Sequence, residues 1–85
     1  MPKPESADSP IELTLYGRVY CHLCTDMAVR LDQLAEELGF SYVCIDVDED
    51  PELESKYNEL VPVLMLGDLQ VCHHFLDEKA LRSVL

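Results

Sequence analysis

Basic residues are scarce in this chain: six lysines and arginines stand against 17 aspartates and glutamates, a formal charge of −11 at pH 7. Such a surface repels phosphate backbones and lacks the basic stripe that nucleic-acid binding needs, and it disfavours anionic membranes. No apolar run approaches the length of a bilayer span. The first ten residues, MPKPESADSP, hold three of the five prolines and no apolar stretch of the signal-peptide kind. They read as a disordered tail, 1–10, ahead of a single domain, 11–85. Without leader or span the expected compartment is the cytoplasm, where thiols stay reduced and a close cysteine pair points to catalysis or metal before a structural disulfide. The acid run from Asp46 to Glu54 lacks the glycine and closing glutamate of an EF-hand, so it reads as a solvated loop and helix start. Repeats are absent too. What remains, 85 residues at 48% apolar and 27% charged with no tryptophan, is one small globular domain with a modest core.

Apolar periodicity orders that domain. Ile11, Leu13 and Leu15 alternate with Glu12, Thr14 and Tyr16, a strand. Met27, Leu31, Leu34 and Leu38 then recur at helical spacing, with Gly39 placed to end the helix and Asp26–Arg30 as a favourable pair one turn apart. FSYVCIDV predicts a second strand, parallel to the first through a right-handed crossover. Pro51 to Glu59 predicts a short helix with proline at its first position. VPVLML and LQVCHHF flank Gly67-Asp68, a two-residue hairpin turn. Counting outward from that turn pairs Leu66 with Leu69, Leu64 with Val71, Val63 with Cys72 and Pro62 with His73. Asp77 caps a closing helix whose buried stripe is Leu81, Val84 and Leu85. The order is β-α-β-α-β-β-α, an α/β fold with a four-stranded mixed sheet and helices on both faces.

RVYCHLCTDM, between the first strand and its helix, carries the chemistry. Cys21 stands where backbone N–H groups are unpaired and the helix dipole favours a thiolate, a position that lowers cysteine pKa values to about 3.5–7.5. Cys24 lies one turn deeper. Helical neighbours three apart have Cβ atoms about 5–6 Å apart and a disulfide needs about 3.5–4.5 Å, so a slightly tightened first turn lets the pair open and close. Cys21 then attacks a disulfide and Cys24 resolves the mixed disulfide. Arg18 is the basic side chain nearest in sequence to favour the thiolate, and His22 helps when protonated. A rival reading is zinc, with Cys72, His73 and His74 arriving at the same end of the sheet. Against it, neighbours on a strand point to opposite faces, and the spacing matches no zinc finger. Cys44 and Cys72 read as small buried hydrophobes.

A strand, C-x-x-C, helix, strand and then VP opening a hairpin resembles the thioredoxin superfamily. The short form resembles the glutaredoxins, and YCHLC, DVD, KY and VPVL are similar to a small glutaredoxin-like group, over residues 11 to 85. The resemblance implies a thioredoxin-like, glutaredoxin-type fold. It makes Cys21 the attacking thiol, Cys24 the resolving one, Pro62 a cis proline beside them, and Val61 a backbone contact for an extended substrate. Arg18, Tyr20, His22, Val61, Pro62 and His73 form the expected substrate-binding set. Usual glutaredoxins carry C-P-Y-C and a glycine pair after the hairpin where glutathione's backbone approaches; here His22 and Leu23, and then His73 and His74, stand in those places. Glutathione binding is therefore expected to be weak. The function expected is thiol–disulfide exchange in cell redox homeostasis, by a monomer with no tightly bound cofactor or metal beyond the redox-active Cys21–Cys24 pair. Its partners would be a disulfide-containing protein or small thiol and a reductant of thioredoxin or glutathione type. A metal- or cluster-binding thiol protein and a redox-inactive binding module are the alternatives.

Overall fold

Strand β1, Glu12–Gly17, lies second in a sheet whose order fixes everything around it. The computed structural model describes residues 11–85, so the tail expected over 1–10 lies outside the described residues. The remaining elements are α1 (His22–Leu38), β2 (Ser41–Asp46), a 3-10 turn (Val47–Glu49), α2 (Pro51–Tyr57), β3 (Val63–Leu66), β4 (Leu69–His73) and α3 (Glu78–Val84). Among the described residues the sheet order is β2-β1-β3-β4, with β1 and β2 parallel and the other pairs antiparallel. The expected succession of elements stands, with the 3-10 turn added.

Period-two alternation sends successive side chains to opposite faces. Leu13, Leu15 and Leu64 pack with Met27, Leu31 and Leu34 of α1 and Leu81 of α3. Val63 and Met65 pack on the other face with Val47 and Tyr57, against Tyr16, Leu53 and Leu60. Tyr16 and Tyr57 stack at 4.6 Å between centroids. Helix α1 ends as its glycine requires: Gly39 takes φ 76 and donates its N–H to Ala35 O at 2.9 Å. Asp50 caps α2 through Glu52 N–H, and Asp77 caps α3 through Ala80 N–H. In α3 Leu81 is fully buried and Leu85 exposed, a narrower stripe than expected.

Three local expectations are corrected. Arg30 does not pair with Asp26: its guanidinium makes two bonds across to Glu78 of α3, at 2.8 and 3.0 Å, a bidentate match, and Asp26 lies against His22 instead. Strand β2 is a sheet edge, so Cys44 is exposed while Cys72 is buried as read. In the hairpin, Leu66 pairs with Leu69 and Met65 with Gln70, but a bulge shifts the ladder so that Leu64 meets Cys72 and Val63 meets His73. Val71 is the extra residue on the bulged strand. His73 thus moves off Pro62 by one position.

Candidate active site at the start of the first helix

After Gly17 the chain leaves β1, turns through Arg18 to Tyr20, and enters α1 at Cys21. Cys21 is the cap itself, in extended conformation, and its Sγ accepts the Cys24 N–H at 3.2 Å. Its carbonyl takes the Thr25 N–H at 3.0 Å and the Thr25 hydroxyl at 3.2 Å. Cys21 and Cys24 are joined as a disulfide with Cα atoms 5.1 Å apart. Cys21 is half-buried and Cys24 only 7% exposed, so the outer sulfur meets solvent first. Behind Cys24 stands Gly17, where an added Cβ would lie 3.0 Å from Cys24 Sγ. At that distance a Cβ would press on the sulfur, and glycine leaves it room.

The Val61–Pro62 bond is cis, as the resemblance implied. Pro62 is buried and precedes Val63, which pairs with Tyr16. One step further along that register sets Pro62 beside Gly17, and so beside the disulfide. Val61 is half-buried at the same end.

The other expected site residues divide. Tyr20 is 100% exposed on the turn before Cys21. His22 points outward and pairs with Asp26 at 3.3 Å. Arg18 is turned away from the role expected of it: it bonds Asp48 at 3.0 Å, Asn58 O at 2.8 Å and Asn58 Oδ1 at 2.6 Å. It ties the turn to the 3-10 segment and the end of α2. Those partners lie 30 and 40 residues on in sequence, beyond any local reading. His73 is exposed and shares a 3.1 Å hydrogen bond with the Gln70 side chain.

His74, not His73, meets the cis proline. Its N–H donates to Pro62 O at 2.8 Å, and its ring donates from Nε2 to Glu59 O at 2.6 Å, with the backbone at φ 63. Nothing local in CHHF marks the bulge that brings it there. A cavity of about 290 Å³ opens between β2 and the start of α1, lined by Gly17, Cys24, Thr25, Ala28 and Cys44 among others. Partial desolvation against that wall, and then the Asp32 charge, push the Cys44 thiol pKa up, and burial does the same at Cys72. Among the described residues, no three His, Cys, Asp or Glu side chains are grouped to hold a metal ion. The arrangement suits reversible sulfur chemistry: an accessible sulfur on a helix dipole, with a shielded second sulfur one turn away.

Residues 12–85 match the family described as Glutaredoxin-like domain (DUF836). The solution NMR structure of a Nitrosomonas europaea protein is 34% identical over 100% of this chain and 99% of its own, with a TM-score of 0.81. An X-ray structure from X. campestris is 38% identical over 85% of this chain and 92% of its own, at a TM-score of 0.64. Fasciola hepatica thioredoxin, 22% identical over 88% of this chain and 77% of its own, shares the fold at a TM-score of 0.58. The architecture is thus thioredoxin-like.

Proposed function

This chain belongs to the glutaredoxin-like (DUF836) family, and from that premise we propose that it is a thiol–disulfide oxidoreductase working through Cys21 and Cys24. The observation that carries the reading is the Cys21 sulfur at the cap of α1, holding the Cys24 N–H and bonded to Cys24 Sγ. In the reduced protein the Cys21 thiolate attacks one sulfur of a substrate disulfide. The other substrate sulfur leaves as a thiolate and takes a proton. Cys24, deprotonated, then attacks Cys21 Sγ, releasing the second substrate thiol and closing the protein disulfide. A dithiol donor returns the pair to the reduced state. The substrate is a disulfide-containing protein or small disulfide, the reductant a thioredoxin-type or glutathione system, and the working form a monomer in the cytoplasm. Among the described residues no helix is long and apolar enough to cross a membrane.

Trapping on a Cys24→Ser variant in cell extract tests this. Mixed disulfides should accumulate on Cys21 and disappear with dithiothreitol. The reduction potential should fall within about −270 to −200 mV, the thioredoxin-to-glutaredoxin range. A protein that neither traps a partner nor exchanges with a model disulfide overturns the reading.

A further inference from the structure

Left-handed backbone is uncommon for residues bearing a Cβ, although histidine enters it more readily than most. Such strain persists only where the surroundings hold it, and it clusters at functional sites. His74, at φ 63, is the one non-glycine residue with positive φ among those described. Two bonds hold it: its N–H to Pro62 O, and its ring Nε2 to Glu59 O. A carbonyl can only accept, so the ring carries its proton on Nε2. The His73 ring meets it edge-on at 4.8 Å, and Phe75 does so at 6.5 Å. One residue therefore grips both ends of the segment Glu59–Pro62, whose middle is Leu60 and Val61. His74 also lines a cavity of about 150 Å³ with Leu23 and Met27 of α1, Leu23 lying between the two cysteines.

We propose that His74 is a positioning residue for disulfide exchange: its ring and main chain together pin the Val61–Pro62 segment in the shape that receives an extended substrate beside Cys21. This rests on the oxidoreductase reading above. The role is separable from the chemistry at sulfur, because a disulfide too small to lie along Val61 needs only Cys21.

Two substrates and two variants test it. His74→Gly keeps the left-handed backbone available and removes the ring donor. His74→Gln restores an amide donor of similar reach. With a disulfide-bonded peptide, His74→Gly should raise KM about five- to tenfold, the effect of one lost carbonyl hydrogen bond, with kcat little changed. With cystamine its rate should match wild type, and His74→Gln should recover most of the peptide KM. Amide hydrogen exchange at Leu60 and Val61 should quicken in His74→Gly, a readout that does not depend on turnover. Unchanged peptide KM, equal slowing of peptide and cystamine, or unchanged hydrogen exchange overturns this role alone. If wild-type protein is inert towards both disulfides, the oxidoreductase reading falls and this role with it.

Discussion

Four cysteines share this small domain, and their positions divide them into two chemically different pairs. Cys21 and Cys24 sit on the first turn of α1, where peptide dipoles favour negative sulfur. Cys44 and Cys72 sit on strands, where the backbone is paired; partial desolvation beside Asp32 raises the thiol pKa of Cys44, and burial raises that of Cys72. Cys44 is the free cysteine open to solvent, yet its thiol holds its proton more tightly than a free cysteine does.

The contrast breaks most directly by exchanging sulfur for oxygen. Cys21→Ser should reduce disulfide exchange to the uncatalysed level. Cys44→Ser should leave it within about twofold, since the exchange steps pass through the Cys21 and Cys24 sulfurs alone and serine nearly matches cysteine in size. Cys72→Ser should cost about 1–3 kcal/mol in urea unfolding, because a hydroxyl is buried, while each folded molecule keeps its activity. Loss of turnover in Cys44→Ser would merge the two pairs into one site.

Next in size is the pH at which each thiol labels. Iodoacetamide reacts with thiolate, so labelling rises as pH passes the pKa. After reduction, Cys21 should be modified first near neutral pH. Cys44 and Cys72 protonate more readily than free cysteine, so their labelling should rise only at alkaline pH. Mass mapping across a pH series reads all four. Early labelling of Cys44 or Cys72 would invert the assignment.

Two further changes sharpen the contrast by altering what surrounds the helix-start pair. Pro62→Ala should slow exchange with a test disulfide about tenfold, in line with misplacing a group that orients the substrate, and raise metal uptake by the thiolates. Gly17→Ala puts a methyl 3.0 Å from Cys24 Sγ and 3.2 Å from its Cβ. Its stability should fall by about 1–3 kcal/mol in denaturant unfolding, the usual cost of overpacking. The smallest change is in glutathione use. The wild type should turn over slowly in a glutathione-coupled assay, and His73→Gly should improve it a fewfold by clearing an exposed ring from one glycine position while leaving the His74 bonds in place. Robust wild-type glutathione turnover would show that the ring is no obstacle.

Local signals carried most of the architecture. The alternation in β1, the stripe on α1, the Gly67-Asp68 turn and the helix start at Cys21 each depend on residues a few positions apart, and each stands. What could not be read depends on long-range choices. Nothing in SYVCID says that β2 would be an edge strand, because its alternating apolar residues suit an inner strand equally well. Nothing in LQVCHH marks the bulge at Val71, yet that one residue moves the proline contact from His73 to His74. Arg18 looked like the cation for Cys21, and its charge goes instead to Asp48 and Asn58, brought near only by the crossover.

The Cys21 sulfur closes two rings at once, the disulfide and the first turn of the helix. A thiolate accepts the Cys24 N–H more strongly than a neutral disulfide sulfur does. Opening the disulfide therefore changes how firmly α1 begins. Such coupling is reciprocal: whatever free energy the cap adds to the thiolate, it adds equally to the domain's preference for the electron-rich state. The thermal midpoint and the oxidation state of this protein then report on each other, through a single atom.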